Sequence, residues 1–144
     1  MLPSPALAPG TLLAGTYRIV RLVGQGGMGE VYEAAHTRLA GRYAVKVLRA
    51  DLTARSNTLA RFRREAEVTS GLRHPNIVQV MDFNVTPAGH PFLVMEFLEG
   101  RELTDDLAAG QPLPMWRVLD VVGQVASALQ AAHERGIVHR DLKP

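Results

Sequence analysis

The sequence predicts an α+β chain. A small five-stranded antiparallel sheet with one helix spans residues 15–98, and helices follow from residue 99 onward. Three observations carry this prediction. The strand-like runs in roughly the first 50 residues are joined by connections too short for parallel crossovers. One helical pattern, over residues 56–70, interrupts the strands. Past Gly100 the apolar spacing changes to 3, 4, 7 and stays there.

Residues 1–14 lack a basic start and are broken by Pro3, Pro5 and Pro9, so they read as a flexible tail rather than a signal peptide. Residues 17–23, YRIVRLV, alternate as a strand. Residues 30–35 follow with the strand formers Val31 and Tyr32, and a turn at residues 39–41 leads to RYAVKVL, residues 42–48. In the helix of residues 56–70, Ser56 or Asn57 can cap the start and Gly71 the end, with Leu59, Phe62, Ala66 and Thr69 near one face. His74-Pro75-Asn76 breaks the chain, and two more strands, residues 77–83 and 91–97, flank a turn at residues 86–89. A short helix is predicted at residues 103–109. A long one opens at Pro114, with Val118, Val121, Val122, Val125, Ala128, Leu129 and Ala132 as its stripe and Gly136 as its stop. The domain boundary falls at Glu99–Gly100, which leaves residues 99–144 as a second, helical part.

Composition narrows the function classes. The chain has 144 residues and is 47% hydrophobic, enough for about one domain with a core. It has no cysteine, which excludes disulfides, thiolate catalysis and cysteine-rich zinc sites. The net charge of +2 is too mild to suggest nucleic acid or an anionic membrane as partner. No apolar run approaches the ~18 residues of a membrane helix. The chain is therefore expected to be cytoplasmic. Of sixteen basic residues, all but Lys46 and Lys143 are arginine. A compact ammonium and a planar guanidinium are not interchangeable, so these two lysines mark positions of interest.

Gly24, Gly26, Gly27 and Gly29 crowd into VGQGGMGEV, directly before a strand. A dinucleotide-binding turn would open a helix instead, and a P-loop would place Lys and Ser or Thr after its last glycine, where this chain has Glu30 and Val31. A glycine-rich hairpin that folds over nucleotide phosphates fits the spacing through Val31. A plain flexible hairpin stays open on these residues alone. Lys46 lies in AVK on the third strand, in phase with Ala44 and Leu48, so it points to a face with apolar neighbours and needs an anionic partner. Glu65 on the helix is the candidate, against the alternative of an ordinary surface charge beside Arg61, Arg63 and Arg64. HRDLKP, residues 139–144, follows the long helix.

Taken in order, GQGGMGEV, AVK, FRREAE, HPNIV, VMEFLEG and HRDLKP resemble the first half of a bacterial eukaryotic-like (Hanks-type) serine/threonine protein kinase, from Tyr17 to Pro144. The resemblance implies a protein-kinase-like N-lobe followed by the first helices of the C-lobe. It implies transfer of the ATP γ-phosphate to Ser or Thr of a protein, with Mg²⁺. Val23, Gly24, Gln25, Gly26, Gly27, Met28 and Gly29 would lie along the phosphates. Val31 and Ala44 would cover the adenine, with Met95 at the back of the pocket and the backbone of Glu96 and Leu98 on the adenine edge. Lys46, held by Glu65, would pair with the α- and β-phosphates. Asp141 would be the catalytic base, and Lys143 would stand near the transferred phosphate, which favours Ser/Thr over Tyr substrates.

The chain departs from the pattern at Met28, where many kinases carry an aromatic, and at Thr69, where the family often has an apolar residue. No metal ligand is assigned within the chain, because the family's asparagine and DFG aspartate come after Pro144. The 144 residues alone are expected to be inactive. The alternative function is a non-catalytic kinase lobe that binds nucleotide weakly or docks onto another protein.

Overall fold

Period-2 alternation and short turns lay down the strands that dominate the first ninety-eight residues. The computed structural model describes residues 7–27, 29–49, 52, 56–108 and 110–144. The chain divides into two units, residues 1–71 with 79–98, and residues 72–78 with 99–144.

In the first unit the strands are β1 (Leu12–Leu13), β2 (Tyr17–Gln25), β3 (Gly29–His36), β4 (Arg42–Leu48), β5 (Val80–Val85) and β6 (Pro91–Glu96). They form one antiparallel sheet in the order β1-β2-β3-β4-β6-β5. The helix α1 (Ser56–Ser70) joins β4 to β5. The sheet has six strands rather than the five expected. The extra one, β1, has two residues, too few to show alternation. The tail expectation changes with it. Leu13 is buried, and the Leu7 N–H donates to the Tyr32 hydroxyl at 2.9 Å, so the tail is attached to the sheet from Leu7 onward. Residues 1–6 of that tail, and Ala109 at the predicted end of the short helix, lie outside the described residues.

Each sheet face has its own core. Tyr17, Ile19, Tyr32, Ala34, Val45, Val47, Phe92 and Val94 fill one face with Leu13. Leu48 and Leu93 fill the other, together with Val80 and with Phe62 and Ala66 of α1. Strand β6 is therefore buried on both sides, which is why PFLVME reads as a continuous apolar run instead of an alternating one. Phe62 is fully buried and anchors α1, and removing its ring would cost roughly 3–5 kcal/mol. Across the first core, the Tyr17 hydroxyl reaches Asp82 of β5 at 3.3 Å. Burial, with Asp82 second, pushes the Tyr17 phenol up.

The second unit holds α2 (Leu103–Ala108) and α3 (Met115–His133). Gly136 ends α3 as expected. It takes φ +71°, its N–H bonds to the His133 carbonyl at 2.9 Å, and the Ile137 N–H reaches the Ala132 carbonyl at 3.0 Å. These are the paired bonds of a Schellman close. In the same unit, Asn76 donates to Gln124 of α3 at 2.8 Å, and His74 Nε2 lies 2.9 Å from Ser127 Oγ. The His-Pro-Asn segment is thus tied to α3 by side chains. The apolar stripe of α3 is uneven. Val121, Val125, Ala128 and Leu129 are half-buried and Ala132 is buried, whereas Val118, Val122, Trp116 and Leu119 are exposed.

Candidate functional site

The hairpin between β2 and β3 is closed by the Gly26 N–H on the Gly29 carbonyl, 2.8 Å, and by a Gln25 to Glu30 side-chain bond of 2.9 Å. Its glycines differ in kind. A Cβ on Gly29 would stand 2.0 Å from the Val47 carbonyl oxygen, so the fold itself requires glycine there. Gly24 and Gly27 have nothing within 4 Å of an added Cβ, Gly26 meets only the Gly29 carbonyl at 4.0 Å, and none of the three has positive φ. The described residues give these three no internal reason to be glycine, and the space above them is open. Val23 and Gln25 are exposed beside them, while Met28 lies outside the described residues.

Strand register sets the next groups. Val31 pairs with Lys46, Glu33 with Ala44, Ala44 with Met95, and Lys46 with Leu93. Val31, Glu33, Ala44, Lys46 and Met95 therefore share one face of the sheet, the face that α1 covers at its far end. Ala44 is buried, and Val31 and Met95 are half-buried. Lys46 is in phase with Ala44 and Leu48, as its sequence position implied. Its ammonium lies 3.4 Å from Glu65 Oε1 and 5.8 Å from the centre of the Phe62 ring. The Lys46 side chain is 25% exposed and that of Glu65 48%. Glu65 is only three residues past the buried Phe62, so one ring fixes the helix that carries the carboxylate.

Sequence reasoning missed Glu33. Its carboxylate accepts Arg42 Nε and Arg21 Nε, each at 2.7 Å, and is 10% exposed. The Arg42 hydrogen bond, more than the opposing effect of burial, holds its carboxyl below the ordinary range. Arg42 also lies 4.2 Å over the Phe97 ring, just past β6. The sequence shows only an acid in phase with Val31; that it faces arginines on both neighbouring strands follows from the cross-strand register. Glu96 is placed differently from its neighbours. Its carboxylate accepts the Gln79 N–H at 2.7 Å, so its side chain is spent on holding the chain before β5. Leu98 is exposed.

In the second unit, the Asp141 N–H donates to His139 Nδ1 at 3.2 Å, and Lys143 Nζ lies 3.4 Å from Asp141 Oδ2. Both charged side chains are largely exposed. Arg140, between His139 and Asp141, has φ +64°, a left-handed conformation that a non-glycine residue holds at a cost of roughly 1–2 kcal/mol. Such strain concentrates at functional segments. His139 is the second residue that sequence reasoning left without a role; it holds this turn. Among the described residues no group of three or more His, Asp or Glu is placed to hold a metal ion. No helix of the described residues is long and apolar enough to cross a membrane.

An antiparallel sheet, one helix against it, a glycine hairpin and a strand lysine paired with a helix glutamate define the class: a protein-kinase N-lobe with the start of a C-lobe. Comparison with known proteins agrees. The profile of the protein kinase domain matches residues 17–144. The chain is 46% identical over 139 residues to the serine/threonine-protein kinase pkn2 of Myxococcus xanthus, covering 96% of this chain and 16% of that protein. It is 41% identical to the serine/threonine-protein kinase PknA of Mycobacterium tuberculosis, covering 94% of this chain and 32% of that protein. The crystal structure of the M. tuberculosis PknI kinase domain superposes with a TM-score of 0.82 at 40% identity, covering 96% of this chain and 57% of the other. The chain belongs to the protein kinase domain family and spans part of that domain.

Proposed function

We propose that this chain is the nucleotide-gripping part, with the start of the catalytic segment, of an ATP-dependent serine/threonine protein kinase. The observation that carries the reading is the contrast among the glycines. Among the described residues nothing crowds a side chain at Gly24, Gly26 or Gly27, which lie next to the strand pair that carries Lys46. A backbone without Cβ atoms lets amides approach phosphate oxygens closely. The residues therefore suit a triphosphate, and the small, buried Ala44 with the half-buried Val31 and Met95 suits a flat base.

When bound, ATP supplies the phosphoryl group to be transferred. Lys46 steadies the α- and β-phosphates, and Glu65 keeps the ammonium in place. The backbone at Glu96 and Leu98 holds the adenine edge. Asp141 orients a protein Ser or Thr hydroxyl and takes its proton as that oxygen attacks the γ-phosphorus and ADP departs. Lys143 neutralises charge on the transferred group. No residue of this chain is assigned to Mg²⁺. A cytoplasmic setting, which supplies ATP and protein substrates, suits this reading. The test is Asp141→Asn in a kinase domain completed beyond Pro144, assayed with labelled ATP, Mg²⁺ and a generic Ser/Thr substrate. Loss of transfer with nucleotide affinity retained supports the proposal; transfer at the unsubstituted rate would overturn it.

A further inference from the structure

A loop with four glycines in six positions has little stiffness of its own, because glycine has the most backbone freedom to lose. Yet a phosphate cradle must hold its amides in place. Three described contacts hold this one. The first is the backbone bond from Gly26 to Gly29. The other two meet at Glu30. One oxygen of its carboxylate accepts the Gln25 side-chain amide, 2.9 Å across the mouth of the hairpin. The other oxygen accepts the hydroxyl of Tyr32. Tyr32 is itself fully buried, packed among Leu13, Ile19, Ala34 and Val47, and its oxygen also accepts the Leu7 N–H.

We propose that Glu30 and Tyr32 are positioning residues for the nucleotide. Glu30 clamps the two legs of the glycine hairpin, and Tyr32 fastens that clamp to the rigid core and to the chain at Leu7. The inference rests on the nucleotide-binding reading above. The geometry gives each member one task. Gln25 offers a neutral donor on the outgoing leg. Glu30 stands on the returning leg, directly after Gly29, and pairs with Gln25 in register. Tyr32, two residues on, points to the same side of β3 and cannot move, because its ring fills the core. A carboxylate with both oxygens engaged is more firmly oriented than one with a single bond, and bonds to a charged acceptor are the stronger kind. The phenol is held in its neutral, donating form, with burial pushing it up to about 12 and the Glu30 bond adding to this.

The experiment uses a kinase domain completed beyond Pro144 and compares Tyr32→Phe, Glu30→Ala and the double variant. Tyr32→Phe keeps the ring and deletes only the hydroxyl. The result expected is a rise of about fivefold in KM for ATP in each single variant, the scale of losing the net contribution of one hydrogen bond. KM for the protein substrate should not change, and kcat should stay within about twofold. The double variant should be no worse than the poorer single, since both break one connected clamp. Nucleotide Kd from fluorescence titration reads the same change in any variant that lacks turnover. An unchanged ATP KM in either single variant would overturn the proposal. So would a rise in both substrates' KM that tracks a fall in Tm, which is general loosening. Failure of the underlying nucleotide reading would show separately, as absent ATP binding by the unsubstituted domain.

Discussion

The Lys46 ammonium lies 3.4 Å from the carboxylate of Glu65, with the strand lysine and the helix glutamate nineteen positions apart. About half of the Glu65 side chain is exposed, and an ion pair so open to solvent adds at most about 1 kcal/mol to stability. The pair is therefore too weak to explain itself as a stability device. On the proposed nucleotide-binding reading, its value lies in fixing where one positive charge stands.

Glu65→Gln should follow from this. The amide can still contact the ammonium but no longer balances its charge. Thermal unfolding should shift little, corresponding to less than about 1 kcal/mol. In a completed kinase domain, kcat/KM for ATP should fall by about tenfold or more, the scale of weakening a preorganised charge at the phosphates. Steady-state kinetics beside a melting curve checks both halves.

The glycines should separate by experiment. Gly29→Ala forces a methyl against the Val47 carbonyl and should destabilise the sheet by about 3 kcal/mol, the upper range for overpacking. Gly26→Ala and Gly27→Ala have room and ordinary φ, so stability should stay within about 1 kcal/mol. Those two should instead weaken ATP binding. Denaturant melts and nucleotide titrations on the same proteins distinguish the cases.

Glu33 predicts a pH dependence. Its carboxyl is depressed in the folded state, chiefly by Arg42. A depressed acid stabilises the fold above its unfolded pKa, and that contribution disappears as pH falls through the folded value. Glu33→Gln should therefore lower Tm at pH 7. The gap between the two proteins should begin to close below the ordinary carboxylate value of 4.5 and narrow further with acidification. A gap that stays constant from pH 7 to pH 3 would show that the Arg21 and Arg42 bonds contribute nothing electrostatic.

Phe62→Ala should act at a distance from its own site. The ring is fully buried under α1, and its loss should cost roughly 3–5 kcal/mol. Because Glu65 rides on the same helix, ATP affinity should fall as well. Hydrogen exchange across residues 56–70 should rise in the variant.

Much of this was legible from the residues. RYAVKVL gave both the strand and the side on which Lys46 faces, because period 2 leaves only two faces to choose between. Residues 56–70 showed their helix through Phe62 and Ala66. The fourth expected strand, residues 77–83, corresponds to β5, which runs later, over Val80–Val85. Ile77 continues the apolar pattern, but the Ile77 N–H turns back to the His74 carbonyl, and pattern alone cannot show a turn bond. Strand β1 was missed because two residues carry no period. The Glu30 clamp and the Glu33 pair were missed because each depends on cross-strand register, which spacing along one strand does not supply.

The 144-residue polypeptide, assayed by itself with labelled ATP, Mg²⁺ and a basic peptide, should transfer no measurable phosphate. It spans 57% of the PknI kinase-domain chain, and phosphoryl transfer depends on metal ions at the β- and γ-phosphates that no residue here is assigned to hold.

The most direct test of the account is Lys46→Met in a kinase domain completed beyond Pro144, with initial rates of phosphate transfer measured at saturating protein substrate. The expected result is a loss of at least about a hundredfold, the scale of one preorganised charged donor, while the melting temperature stays near that of the unsubstituted domain. Transfer at the unsubstituted rate would contradict it and leave Lys46 an ordinary strand residue with a surface partner.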